Sequence, residues 1–136
     1  MSGLDQTTPS PTEIKLHQKS RLLEIAFADD QRFSLPFEFL RVYSPSAEVR
    51  GHGPGQEVLQ VGKKDIDITH IEPVGSYAVQ LVFSDGHDSG LYSWDYLYNL
   101  GTNQDSMWAH YLDRMREANA SREAATGVFA QRPKSK

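Results

Sequence analysis

The sequence predicts a single small α+β domain built on antiparallel strands, and three patterns support this fold class. Residues 13–17 alternate between polar and apolar side chains, and the apolar segment 22–27 follows after a short polar turn, which is typical of a hairpin. Asp85-Gly86 lies between two strand-like segments, and both residues tolerate the positive φ of a type I′ turn. Near the C-terminus, apolar residues recur at three- and four-residue intervals, as in an amphipathic helix. We therefore expect small, bent antiparallel β-sheets with two to three helices.

The individual elements follow from local signals. The predicted strands are residues 13–17, 22–27, 32–35, 66–71 and 77–83. The predicted helices are residues 36–43, 93–100 and 103–120. Pro36 suits a helix start because it has no N–H to lose there, and Ser93 is a good N-cap. Pro73 is expected to end the fourth strand.

Both ends of the chain are more polar than its middle. Residues 1–11 are rich in Ser, Thr and Pro, and residues 121–136 are small, polar and basic, so we expect both to be disordered around a domain at 12–120. The sequence has no cysteine, which excludes disulfides and thiolate metal sites. It has no run of roughly 18 apolar residues and no secretory signal, so we expect a cytoplasmic protein without a membrane partner.

The net charge of −4 is unevenly distributed. No Lys or Arg lies between Asp65 and Asp113, whereas acidic residues recur throughout that segment. Nucleic-acid-binding proteins need clustered cations to neutralise phosphates, so nucleic acid is not expected as the main ligand. The acidic residues form either an ordinary solvated surface or an acidic contact face.

His87 is the histidine with the most suggestive neighbours, because Asp85 and Asp88 flank it. It is either a metal ligand or general base, or a structural residue beside a turn. No two histidines have the helical i, i+4 or the His-x-His spacing of metal ligands. His52, His70 and His87 could therefore bind a metal only if the fold brings them together. The sequence contains no Gly-x-Ser-x-Gly motif or other local signature of a hydrolase.

Aromatic residues are concentrated after the Asp85-Gly86 turn. Tyr92, Trp94, Tyr96 and Tyr98 alternate through a predicted strand-to-helix junction, where they either fill the core or face a partner. Together with Asp85 and Asp88, they are the candidate partner-binding surface. A second apolar stripe is expected to dock on the core or to support self-association, which leaves a monomer or a weak homodimer; it consists of Trp108, Tyr111, Leu112 and Met115.

Two segments carry a family resemblance. Residues 35–41 (Leu-Pro-Phe-Glu-Phe-Leu-Arg) and 83–97, with their Asp-Gly-His turn and Trp-x-x-Leu, resemble the γ-butyrobetaine hydroxylase-like N-terminal domain family, DUF971, over roughly residues 12–116. Members of that family occur as free-standing bacterial proteins, before the catalytic domain of carnitine-biosynthesis dioxygenases, or after Mrp-type iron–sulfur carrier ATPases. The resemblance implies a domain without its own active site.

The resemblance also implies a degenerate zinc site. In metal-bearing members, three closely spaced cysteines follow the Leu-Arg pair, and a distant histidine completes the site. By position, the cysteines correspond to Ser44, Ser46 and Val49, and the histidine to His87. Hydroxyls are poor zinc ligands and valine is none, so no metal or other cofactor is expected, and either packing or polar contacts among Ser44, Ser46 and His87 should offset the loss of the ion.

These expectations lead to a functional hypothesis. The chain is expected to be a non-catalytic module that binds a protein partner, linked through its family context to iron–sulfur or oxygenase metabolism. The alternative is a metal-handling domain that uses His52, His70 and His87 with nearby carboxylates.

Overall fold

A computed structural model describes residues 8–51 and 56–123. Its strands are β1 Pro11–His17, β2 Leu22–Phe27, β3 Arg32–Pro36, β4 Ile68–Val74, β5 Ala78–Phe83 and β6 Leu91–Ser93. Its helices are α1 Phe37–Val42, α2 Ala47–Arg50, α3 Trp94–Thr102 and α4 Gln104–Glu117. The strands form two three-stranded antiparallel sheets, so the predicted α+β class is confirmed.

The first sheet has the order β1-β2-β3. Alternate residues of β2, among them Leu23 and Ile25, point into the core, which fixes the register of the predicted hairpin. The sheet begins earlier than predicted, because Pro11 pairs with Phe27 and the Ser10 carbonyl accepts a 2.8 Å hydrogen bond from the N–H of Ala28. Residues 10 and 11 therefore belong to the domain rather than to a disordered segment.

The second sheet has the order β4-β5-β6 and differs from the prediction at two points. Pro73 does not end β4 but pairs with Val79, because β4 is an edge strand and one side of it needs no donors. The β5–β6 connection is a longer loop over residues 84–90 rather than a type I′ turn. Gly86 has φ 88°, but Asp85 is not among the described residues with positive φ, and its carboxylate instead closes a turn by accepting the His87 N–H.

Three of the four described helices were predicted. α1 begins directly after Pro36, and the Ser93 hydroxyl accepts the Tyr96 N–H at the start of α3. The single-turn helix α2 was missed. Its N-cap is Ser46, whose hydroxyl accepts the Glu48 N–H, and a Pro-Ser pair before a short run is the signal that could have revealed it. No helix among the described residues is long and apolar enough to cross a bilayer.

The core lies between the two sheets and is closed by α1 and α3. Its largest side chains are Tyr92, Phe27, Phe37, Phe39 and Phe83. A smaller cluster joins Val42 to Tyr111 and Met115 of α4. The predicted apolar stripe of α4 is thus used, at least in part, for internal packing.

The segment after α4 is attached to the domain. The Arg122 guanidinium donates two hydrogen bonds to the buried Glu38 carboxylate, at 2.8 and 2.7 Å, and lies over the Trp108 ring. The carbonyls of Ser121 and Arg122 accept backbone N–H groups of residues 62 and 64. The predicted start of a disordered tail at 121 is therefore wrong for residues 121–123, and residues 124–136 lie outside the described part of the chain.

Candidate functional site

The site is built where the connection between α1 and α2 meets the β5–β6 loop. Gly90 makes this approach possible, since a Cβ at position 90 would lie 2.5 Å from the Ser44 hydroxyl oxygen and 3.2 Å from the Pro45 ring. The close contact places residues 87–90 against residues 44–48. Two features arise here, an open cleft and, beside it, a polar cluster in which Ser44, Ser46 and His87 are buried and Glu48 and Ser89 are exposed.

The polar cluster consists of Ser44, Ser46, Glu48, His87 and Ser89, and we call it the His87 cluster. The imidazole lies with Nε2 2.8 Å from Ser44 Oγ and Nδ1 3.1 Å from Glu48 Oε1. Burial and the nearby Arg41 charge lower the pKa of His87, against opposing contributions from Glu48 and Asp85, so the ring is neutral at pH 7. Because a carboxylate only accepts, Nδ1 carries the hydrogen and Nε2 accepts from the Ser44 hydroxyl.

The remaining hydrogen bonds complete the cluster. Ser44 Oγ accepts the Ser46 N–H at 3.2 Å. Ser46 Oγ accepts the Glu48 N–H and lies 2.7 Å from Ser89 Oγ, which in turn donates to the Glu48 carboxylate. These directions assign an acceptor to every side-chain hydrogen of the cluster.

Asp85 stabilises the loop from its other side. Its carboxylate accepts hydrogen bonds from Arg41 Nε at 3.0 Å, Lys63 Nζ at 2.6 Å and the His87 backbone N–H at 3.1 Å. Partial burial favours a raised pKa, but the hydrogen bonds from Lys63 and His87 and the Arg41 charge outweigh it and lower the pKa of Asp85 to about 2. Asp85 is thus engaged inside the domain, whereas the Asp88 side chain is exposed.

The order Ser44–His87–Glu48 is that of a nucleophile, a base and an orienting acid. However, Ser44 is only 1% exposed, and its oxygen already accepts an amide N–H. On the Gly90 side, the space next to the Ser44 hydroxyl is too narrow for a single methyl group. The arrangement fits an internal hydrogen-bond network, in which the His87 ring contacts Ser44 and Glu48.

The donor set does not fit a metal ion. Ser44 and Ser46 offer hydroxyls, the buried Val49 offers no donor, and no group of three His, Asp or Glu residues in the described ranges is arranged to hold a metal. His70 is exposed on β4 and contacts Glu72, whereas His87 is buried. His52 lies outside the described residues. The structure therefore does not show the predicted convergence of His70 and His87.

The four predicted contact aromatics separate into buried and half-buried residues. Tyr92 is fully buried and donates to the Leu40 carbonyl at 2.6 Å, so it belongs to the core and cannot face a partner. Trp94 is half-buried, and its indole N–H donates to Ser76. Tyr98 donates to Asp29 and packs edge-on against Phe27 and Phe33.

Tyr96 is the predicted aromatic that lines the open cleft beside the cluster. Its hydroxyl donates to the Tyr43 carbonyl at 2.5 Å, and the Arg50 guanidinium lies 5.3 Å from the centre of its ring. Burial raises the pKa of Tyr96, although Arg50 opposes this. Tyr96 is therefore a half-buried residue whose position is fixed by a hydrogen bond and which lines the cleft.

We call this feature the Arg50 cleft. It has a volume of about 550 Å³, and its walls include Tyr43, Val49, Arg50, Val58, Tyr96 and Arg114. Ser44 and Val49, two of the four degenerate metal positions, also line the cleft. Sequence reasoning missed Arg50 and Arg114, because nothing local relates two residues so far apart in the chain.

The comparisons place the chain among known proteins. The family model for Gamma-butyrobetaine hydroxylase-like, N-terminal matches residues 14–98, which is more than half of the chain. The chain belongs to this family. The resemblance seen in the sequence is thereby confirmed, whereas no curated protein matches the chain.

Solved structures of relatives agree with this assignment. An NMR solution structure is 56% identical with a TM-score of 0.76, and covers 89% of this chain and 90% of its own. A second NMR structure is 47% identical with a TM-score of 0.75, covering 91% and 98%. A crystal structure from Acidithiobacillus ferrooxidans ATCC 23270, a DUF971 protein of unknown function, is 39% identical with a TM-score of 0.59, covering 72% and 98%.

Proposed function

We propose that this γ-butyrobetaine hydroxylase-like N-terminal domain is a non-catalytic module that binds another protein through the Arg50 cleft. The observation that carries this proposal is the contrast between two adjacent features. The reactive groups of the His87 cluster are consumed by internal hydrogen bonds, whereas the cleft presents apolar and cationic groups to solvent.

The composition of the cleft suits protein binding. Val58 is 50% exposed at its rim, and Tyr96 contributes a large ring whose position is already fixed by its hydrogen bond to Tyr43. Tyr and Arg are enriched among the residues that dominate binding energy at interfaces, since they combine large contact area with polar specificity. A preordered ring also reduces the entropy lost on binding.

This surface differs from the predicted one. The acidic and aromatic face was expected to include Tyr92 and Asp85, but Tyr92 is buried and Asp85 is bound by Arg41 and Lys63. Of the predicted contact residues, Tyr96 is the one that we retain at the centre of the proposed interface. The family context makes iron–sulfur carrier ATPases and dioxygenases the first partners to test.

A matched pair of neutral substitutions tests the binding proposal. Val58 and Val61 are equally exposed, at 50% and 48%, but only Val58 is a wall residue of the cleft. Wild-type chain is used to capture partners from cell extract, each partner is purified, and its affinity is measured by calorimetry. Val58→Gln should weaken binding about tenfold through the loss of apolar contact, and Val61→Gln should not. A partner that binds both variants equally, or no partner at all, would contradict the proposal.

The non-catalytic part of the proposal has its own test. A fluorophosphonate probe labels serine nucleophiles that are activated by a neighbouring histidine. Because Ser44 is buried, we expect no more labelling of wild type than of Ser44→Ala. Stoichiometric labelling of Ser44 would show that the Ser44–His87–Glu48 arrangement is a working nucleophile, and the module would then be an enzyme.

A further inference from the structure

We infer that the Arg50 cleft recognises an acidic segment of the partner protein, in which a carboxylate lies next to apolar side chains. This inference rests on the proposed function and adds the chemistry of the ligand.

Ion pairing separates the arginines into two groups. Among residues 8–51 and 56–123, most arginines contact a carboxylate; these are Arg21, Arg32, Arg41, Arg116 and Arg122. Within the same ranges, Arg50 and Arg114 form no ion pair with a carboxylate, and both line the same cleft. In a chain with net charge −4, two arginines without a carboxylate partner at one cleft form a local cationic site.

The contacts of both guanidinium groups hold them in place while leaving donors available. The Arg50 guanidinium lies 5.3 Å from the centre of the Tyr96 ring and makes a side-chain hydrogen bond to Tyr96. Arg114 uses one N–H to bind the Glu57 carbonyl at 3.1 Å. An arginine has five N–H donors in a planar fork that matches a carboxylate, so most of the donors of the pair remain for a ligand.

The apolar residues of the cleft determine which side chains should flank the carboxylate of the ligand. Val49 and Val58 lie in the same cleft, and the N–H of Val58 donates to the Val49 carbonyl at 2.8 Å, which holds the two walls together. Glu57 is the third charged residue of the cleft, so the cleft retains a single net positive charge. An acidic residue flanked by aliphatic ones satisfies both the guanidinium donors and the valine surface.

Other occupants fit less well. The C-terminal residues of this chain carry Arg132, Lys134 and Lys136, which the cleft arginines would repel. A nucleic acid would need more than two phosphate-binding cations. A second copy of the chain and a free anion remain as outcomes for the experiment to separate.

The test uses two peptides that differ only in charge. Acetylated and amidated Leu-Glu-Leu-Asp-Leu is titrated against the full chain and followed by NMR amide shifts, with Leu-Gln-Leu-Asn-Leu as the neutral control. The acidic peptide should shift the signals of Arg50, Val58 and Tyr96 and bind about tenfold more tightly than the neutral one, with the difference shrinking at high salt.

Charge-removing variants assign the effect to the cleft. Arg50→Gln and Arg114→Gln should each weaken the acidic peptide about three- to tenfold, whereas Arg116→Gln, on the same helix as Arg114, should not. The inference would be overturned if both peptides bind equally, or if all three variants lose affinity equally. It would also be overturned if inorganic phosphate saturates the same signals without any preference between the peptides, or if the signals change on dilution alone. If a purified partner loses affinity with Val58→Gln but not with the arginine variants, the proposed function stands and the acidic ligand is wrong. If the acidic peptide binds more tightly than the neutral one but no partner loses affinity with Val58→Gln, the proposed function is wrong, and only the preference of the cleft for an acidic ligand is supported.

Discussion

The His87 cluster and the Arg50 cleft share the segment 44–51, yet they treat polar groups in opposite ways. In the cluster, each side-chain hydrogen of Ser44, Ser46, His87 and Ser89 is donated to a neighbour. In the cleft, two guanidinium groups form no ion pair with a carboxylate of the described part of the chain, although Glu57 lines the same cleft. A buried polar group without a partner costs about 1–3 kcal/mol, so the buried Ser44, Ser46 and His87 must all be hydrogen-bonded, whereas a hydrated arginine costs little. The cluster therefore contributes to the stability of the fold, whereas the cleft leaves hydrogen-bond donors without a carboxylate partner among the described residues.

The largest expected effect comes from turning the closed region back into a metal site. In Ser44→Cys/Ser46→Cys/Val49→Cys, three thiolates would join His87 in a zinc-binding set, and structural zinc sites supply roughly 10 kcal/mol. We expect stoichiometric zinc and a higher unfolding midpoint that a chelator reverses. Adding His87→Ala to the triple variant should weaken zinc binding. A triple variant that folds but retains no zinc would show that these positions do not converge as the family resemblance implies.

Removing the centre of the cluster should be the next largest effect. His87→Ala leaves Ser44 and Glu48 without their shared partner and opens a small cavity, so the free energy of unfolding should fall by about 3 kcal/mol. His70→Ala is the matched control, because that histidine is exposed, and its cost should stay below about 0.5 kcal/mol. Chemical denaturation measures both. Similar values for the two variants would mean that the cluster has no structural role.

A smaller effect should appear in the dependence of stability on pH. The pKa of His87 is lowered from its ordinary value of 6.5 in the folded domain, so the unfolded chain binds more protons at mildly acidic pH. The contribution is fully present above about pH 6.5, and it is lost as the pH falls toward the folded-state pKa. His87→Gln should show a shallower loss over this range, and a slope identical to that of wild type would exclude His87 as its source.

The smallest expected effect is on the stability of cleft variants. Arg50→Gln and Arg114→Gln should each change the free energy of unfolding by less than about 0.5 kcal/mol, since both side chains are at least partly solvated. Arg122→Gln gives the contrast, because it leaves the buried Glu38 carboxylate without its two hydrogen bonds and should cost about 2 kcal/mol. Chemical denaturation measures the free energy of unfolding of each variant. A cleft variant that is destabilised as much as Arg122→Gln would show that Arg50 or Arg114 stabilises the fold.

Local sequence patterns were enough to predict most of the strands and helices. The alternation in residues 13–17, the proline before α1, the Ser93 cap and the apolar stripe of α4 each act within a few residues of chain, so they could be read without coordinates. The family resemblance added that Ser44, Ser46 and His87 belong to one place. The direct contact of Ser44 with His87 agrees with that expectation.

Pairing across long separations was decided only by the tertiary structure. The cation-free segment 65–113 suggested an acidic face, but Asp67 meets Arg21 and Asp85 meets Arg41, from elements far away in the chain. The same holds for Arg50 of α2 and Arg114 of α4, which line one cleft although they are far apart in the chain. Composition and periodicity report which residues are polar or apolar along one element. Whether a charged side chain is neutralised or left facing a cleft depends on which other element lies next to it. That neighbour is set only when the chain folds.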